Sequence, residues 1–214
     1  QGKQGFKISG AARLLLMMCF VLIANLVLAQ SEILDIQGNI KDSFSMKKLE
    51  SVQITVIQNG KQFDSFTTTG SGKYTLELPL GYDYKIQFSK LDFVAKTIEI
   101  RTKDIPEEDM RGGFQMSMDV SIFENQEGFN TSILDKPIGI ASFDPQRNSI
   151  EFDFPYTESV MDEIEAEFER LEDLAANMEK MLKQFDDLIA KGDQKMGDEK
   201  YEDAISQYED ALEI

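Results

Sequence analysis

Few residues of this chain could do chemistry, and their spacing argues against most reactions. The 214 residues contain no His, and Cys19 is the only Cys. Ser-His-Asp hydrolysis, disulfide bonding and Cys/His zinc sites need residue types that are missing. Catalysis would have to run on carboxylates, Lys, Tyr or Ser alone. Gly70-Ser-Gly-Lys73 has the outline of a phosphate loop, but such a loop needs an earlier Gly and a Ser or Thr after the Lys. Thr67 and Tyr74 stand at those positions, so a hairpin turn is the better reading. Glu107, Glu108 and Asp109 are consecutive acids without the spaced oxygens and turn Gly of a calcium loop, and read as a solvated linker. Asn130-Thr-Ser132 matches a glycosylation sequon, a three-residue pattern that also arises by chance. The expected catalytic, cofactor-binding and metal-ligating sets are therefore empty.

The elements that would position any site begin with an export signal. Residues 1–29 carry Lys3, Lys7 and Arg13 and no acid. Leu14 to Leu28 is apolar apart from Asn25, and Val27-Leu28-Ala29 obeys the small-residue rule for cleavage. The apolar run is short of the ~20 residues of a spanning helix. Cleavage is expected between Ala29 and Gln30; an uncleaved anchor is the alternative, and the one route to a membrane. Removing those three cations takes the net charge from −17 to −20. A surface that acidic repels nucleic acid and anionic lipid.

From Ile33 the apolar period is two. Leu34 and Ile36; Val52, Ile54 and Val56; Tyr74, Leu76 and Leu78; and Tyr84, Ile86 and Phe88 alternate with polar residues. Asn59-Gly60, Gly70-Ser-Gly72 and Pro79-Leu-Gly81 supply turns between them. This pattern predicts about seven short strands in an antiparallel sandwich over residues 32–100.

Asp35-Ile-Gln-Gly-Asn-Ile-Lys-Asp42, Leu49-Glu-Ser-Val-Gln-Ile-Thr-Val56, Thr67-Thr-Thr-Gly-Ser-Gly-Lys-Tyr74 and Leu78-Pro-Leu-Gly-Tyr82 resemble the carboxypeptidase regulatory-like domain. The resemblance implies a transthyretin-like, or prealbumin-like, sandwich with a role in folding support or binding. Ser43-Phe-Ser-Met46 departs from it, since that family usually has a short Gly-containing turn there. Peptidase chemistry is not implied, because a His-ligated zinc cannot be built without His.

Residues 101–155 read as additional strands and a hairpin. Phe114, Met116, Met118, Val120 and Ile122 alternate with polar residues as one strand. Lys136–Phe143 and Ser149–Phe154 flank a turn at Asp144-Pro-Gln-Arg-Asn148, with Ile150, Phe152 and Phe154 on one side. These strands either extend the sandwich or form a small second sheet.

Residues 157–190 predict one long acidic amphipathic helix. Met161, Ile164, Phe168, Leu171, Ala175, Met178, Leu182, Phe185 and Ile189 keep a 3,4 rhythm with no Pro or Gly between them. Thr157 or Ser159 could cap its start. The stripe predicts either packing within the chain or self-association through residues 161–189, and Leu174, Met181 and Leu188 widen it toward the former.

Over residues 185–214, Gly192, Tyr201, Ala204, Tyr208 and Ala211 resemble the tetratricopeptide repeat, with a turn at Asp198-Glu-Lys200. The small residues would let two antiparallel helices approach, with Tyr201 and Tyr208 filling the space around them. Lys191 and Lys195 depart from the repeat's usual residue types, and the stretch reads as an incomplete repeat.

The expected architecture is α+β: an antiparallel Ig/prealbumin-like sandwich, a long helix, then a helical-hairpin repeat. The function expected is that of a non-enzymatic exported scaffold or adaptor in the periplasm or outer-membrane-associated envelope of a Gram-negative bacterium. Its partners would be proteins held by the repeat region, with no nucleic acid. A carbohydrate- or peptide-binding module of an envelope assembly is the alternative.

Overall fold

The computed structural model describes residues 32–214. The proposed cleavage point at Ala29 and Gln30 lies outside them. Ten strands, β1 Ile33–Asp42, β2 Gln53–Gln58, β3 Lys61–Thr67, β4 Lys73–Pro79, β5 Asp83–Ser89, β6 Lys96–Arg101, β7 Phe114–Ser117, β8 Val120–Ile122, β9 Gly139–Asp144 and β10 Ser149–Phe152, fall into two sheets. One has the order β4-β1-β7, with β8 continuing beside β1; the other runs β10-β9-β6-β5-β2-β3. Six strands rather than seven lie between residues 32 and 101, because the residues from Ser43 to Val52 cross between sheets without forming one. Asp42 starts the turn that first folds residues 47–49 back beside β1: its Oδ1 accepts the Ser45 and Phe44 N–H groups at 2.6 and 3.2 Å, and Met46 takes a positive φ of 57°. An Asx turn thus replaces the Gly-containing turn of the resembled family.

Alternation decides the core. Leu34, Ile36 and Ile40 of β1, Ile54 and Val56 of β2, and Leu76 and Leu78 of β4 are buried, as are Ile86 and Phe88 of β5 and Ile98 and Ile100 of β6. Their neighbours in sequence point the other way, as a pleat requires. The sheets meet through edge-on ring pairs such as Tyr74 with Phe88, and through Phe114 with Phe143, each 5.6 Å between centroids. β7 to β10 extend the two sheets of the sandwich rather than forming a separate sheet. β7 and β8 run parallel to β1, and β9 runs parallel to β6.

The predicted single strand from Phe114 to Ile122 is broken at Met118-Asp119. Met118 N–H bonds Gln37 O at 2.9 Å, and its carbonyl turns inward to accept the Tyr74 hydroxyl at 2.6 Å. Asp119 then supplies the acceptor that β1 has lost. Its Oδ1 receives the Asn39 N–H and amide at 2.9 and 3.0 Å, and its Oδ2 receives Lys41 Nζ at 2.9 Å. Asn39 and then Lys41 hold this carboxyl down to about 2. Gly38 faces inward at the break. An added Cβ would lie 1.8 Å from Met118 O, so only Gly lets the two backbones meet.

Gly72, with φ of 63°, closes the Gly70–Lys73 turn against β1, and its carbonyl accepts Ile40 N–H at 2.8 Å. The turn leads from β3 into β4 and opens no helix. A phosphate loop would do the opposite.

Lys96 is the one cation in the core identified among the described residues. It occupies an inward position of β6, with its ammonium 4.9 Å from the centroid of the Phe123 ring. Burial pulls its pKa from the ordinary 10.5 to about 8. Between those values the unfolded chain binds more proton, so this group's penalty on folding is full below pH 8 and fades as pH rises toward 10.5. Lys96→Met should keep the stem's packing, remove the penalty and raise stability at pH 7 by about 1–3 kcal/mol. Urea unfolding of both proteins at pH 7 and pH 10 checks this; a gain that is absent at pH 7, or that fails to shrink at pH 10, sinks it.

The helical unit takes its residues from two stretches. Residues 125–138 belong with residues 154–214, while β9 and β10 return to the sandwich. α1, Glu107–Met110, is a single turn within the sandwich unit, with the three consecutive acids at its start, where the helix dipole favours them. α2, Phe154–Gly197, is 44 residues long, about 66 Å at 1.5 Å rise per residue. It starts at Phe154, with Pro155 in its first turn, so Thr157 and Ser159 lie inside the helix rather than at its cap. Phe154 is 67 % exposed and is not part of the β10 face as expected. The helix also runs on without interruption through Ile189 into the stretch read as the repeat. α3, Tyr201–Leu212, follows the turn at 198–200. Among the described residues no helix is long and apolar enough to cross a membrane.

Candidate functional site

Two surfaces stand out, one on each unit. On the helical unit, α2 and α3 form a hairpin closed by Lys200 N–H on Lys195 O at 2.9 Å, with Glu199 in the left-handed region at φ of 60°. Gly192, Ala204 and Ala211 are buried. A Cβ on Gly192 would come 2.4 Å from the Tyr208 ring, so the ring lies flush on the α2 backbone. The Tyr208 hydroxyl donates to Asp193 Oδ1 at 2.7 Å, and this contact raises its pKa. Of the five signature residues, Gly192 and Tyr208 touch, and Ala204 and Ala211 take buried positions on α3. Tyr201 does not: it opens α3 and is 55 % exposed, because the contact starts one turn later, at Ala204. Ile205 and Leu212 are also exposed, Leu212 at 83 %.

The first third of α2 is covered by residues 125–138. Phe129 packs on Phe168 with centroids 5.0 Å apart, and Gly128 sits where a Cβ would touch Leu171 at 3.4 Å. A polar clamp holds them. Glu167 accepts Arg170 Nη2 and Nε at 2.7 and 2.8 Å and Asn130 N–H at 2.6 Å, while Arg170 Nη2 also donates to Gly128 O at 2.6 Å. Arg170 first, then the Asn130 N–H, lowers the Glu167 carboxyl to about 2. Its contribution to the folded state is present at neutral pH and is lost as pH falls from 4.5 toward 2. The Asn130 side chain accepts the Ser132 N–H and hydroxyl, which makes Asn130 the cap of the 3₁₀ turn Thr131–Leu134.

Sequence reasoning missed both this clamp and the second surface. Asp35, Gln37, Gln115, Met116 and Ser117 line a groove of about 330 Å³ on the outer face of β1 and β7. Asp35 pairs in register with Gln115, and Gln37 with Ser117. Gln37 Nε2 donates to Asp35 Oδ2 at 3.2 Å, while Asp35 Oδ1 is shielded from solvent with no partner. The only signal in sequence was that Asp35, Gln37, Gln115 and Ser117 occupy outward positions of alternating strands. Parallel pairing of strands 80 residues apart is what brings them together. Among the described residues no three acids, Cys or His gather where a metal could bind.

No family model matches the sequence, and no curated protein matches it either. Solved structures do match parts of it. The Bacillus anthracis TIE protein is 20 % identical over 43 % of this chain and 17 % of its own, with a TM-score of 0.34. Klebsiella pneumoniae 5-hydroxyisourate hydrolase is 14 % identical over 43 % of this chain and 99 % of its own, with a TM-score of 0.30. A group B streptococcus pilus 2b backbone protein is 11 % identical over 44 % of this chain and 42 % of its own, with a TM-score of 0.31. The chain spans less than two thirds of the first structures it matches, at 17, 60 and 42 % of their lengths. All three TM-scores lie below 0.5, so these likenesses decide nothing about the fold, which rests on the strands and their pairing. The likenesses carry nothing about activity, and they show neither the carboxypeptidase regulatory-like family nor the tetratricopeptide repeat.

Proposed function

We propose that the chain is a non-enzymatic scaffold or adaptor, exported to the periplasm or cell envelope, in which the sandwich is a rigid support and the helical unit holds protein partners. The observation that carries this reading is the hairpin. Its two helices touch through small residues, while α3 presents Ile205 and Leu212 to solvent. An amphipathic hairpin with one covered and one open face is how stacked helical repeats add a neighbour or take up a peptide. The tetratricopeptide resemblance and the acidic surface support the same reading, as does the lack of His and of any Cys after Cys19.

The groove at Asp35, Gln37, Gln115 and Ser117 favours a second reading, a module binding a small polar ligand such as a saccharide. It lacks an aromatic platform, which sugar sites usually use, and so ranks below. A thermal-shift screen of oligosaccharides, divalent metals and a peptide library separates the two. The adaptor reading expects stabilisation by peptides alone. A saturable shift with an oligosaccharide, abolished in Gln37→Ala, would replace it by the ligand-binding reading.

A further inference from the structure

Every residue of α2 from Glu172 to Asp187 is exposed, so this stretch stands free among the described residues. Its composition does not suit that. Leu174, Met178, Met181, Leu182 and Phe185 form one apolar face, with Met178 at 56 % and Leu182 at 62 % exposure. A surface helix in water normally buries such a stripe, and an isolated helix of this length is marginal by itself. The face expected to pack within the chain is thus uncovered. We propose that it is a docking site for a cationic amphipathic helix of another protein; this rests on the adaptor reading and names the partner's chemistry.

The charges beside the face select that occupant. Glu172, Glu179 and Asp186 stand seven residues apart along one flank, in line with Glu165 and Asp193. Positions seven apart stay on one side of a helix pair. A second copy of this chain would bring that row against itself in an antiparallel pair. In a parallel pair it would superpose the acid-rich starts of both helices, where only Arg170 opposes eight acids between Glu158 and Asp173. Like charges so placed oppose association. A partner helix with Leu or Met on one face and a Lys or Arg every seventh residue beside it meets both the stripe and the row. An anionic membrane meets the stripe and is repelled by the row.

The test titrates the chain, which contains no Trp, against an 18-residue helical peptide of Leu and Lys that bears a single Trp. The same peptide with Glu for Lys serves as comparison. Binding to the Lys peptide should be at least about tenfold tighter than to the Glu peptide, and should weaken about tenfold from low to high salt. Met178→Ser with Leu182→Ser leaves every charge in place and should lower affinity about tenfold. These exposed positions do not hold the fold together, and unchanged thermal unfolding of the variant verifies this. Binding that survives the double substitution is plain charge attraction and overturns the proposal. So does equal affinity for the Glu peptide, or a dimer in sedimentation that strengthens with salt. Peptide-library stabilisation with no Lys-peptide binding would remove this site and leave the adaptor reading standing; an oligosaccharide shift would remove the adaptor reading itself.

Discussion

Gly38→Ala should destabilise the sandwich by on the order of 3 kcal/mol and lower its thermal midpoint by roughly 10 °C. Gly38 does not have the positive φ that usually explains a glycine, so conformational freedom is not the cause. The cause is space. The new methyl would overlap Met118 O and touch the Tyr74 ring, at 1.8 and 3.0 Å. Met118 cannot retreat without losing its N–H bond to Gln37 O and the Tyr74 hydroxyl on its carbonyl. Both bonds are buried or in the ladder, so neither is replaced by water at no cost. Gly112→Ala is the control: Gly112 has a φ of 90° and open space around its Cα, so it should lose only the ~1 kcal/mol of backbone strain. Calorimetry of both variants decides it. Equal midpoints for Gly38→Ala and the parent would mean that the β7–β8 break does not press on β1.

Ala204→Arg should melt the hairpin and leave the sandwich folded. Ala204 is wholly buried at the contact of α2 with α3. An unpaired guanidinium there costs about 3–5 kcal/mol, more than a contact made by one 12-residue helix can hold. Amide exchange of residues 201–212 should rise to that of an unfolded chain, while the strand amides keep their protection. Gly192→Val attacks the same contact from α2 by displacing Tyr208, and should give the same pattern in weaker form. If residues 201–212 stay protected in both variants, the small-residue contact does not hold the hairpin, and the adaptor reading loses its main support.

The strands were legible because a pleat writes a local signal. Tyr74, Leu76 and Leu78, or Tyr84, Ile86 and Phe88, alternate whatever they pair with, and all six are buried. The long helix was legible because its 3,4 rhythm needs only its own residues. The turn at 198–200 was implied by the resemblance of residues 185–214 to a helical repeat, and the chain does turn there. The coarse order of sandwich and long helix therefore follows from local chemistry.

Pairing is different, because hydrogen-bond ladders carry no address in sequence. Only the folded chain placed β7 and β8 beside β1, and β9 beside β6, in parallel across long separations. The same non-local choice broke the strand at Met118, set Gly38 against a carbonyl and built the groove at Asp35 and Gln37. It also buried Lys96, which occupies an inward position that a period-two reading reserves for apolar residues. On α2 the sequence determined that an apolar stripe exists. Tertiary structure decided which part of it is covered: residues 125–138 reach the start of the helix, α3 reaches its end, and the middle is exposed. Periodicity reports which face of an element is apolar; what comes to lie against that face depends on where distant segments travel, and that is decided only when the chain closes on itself.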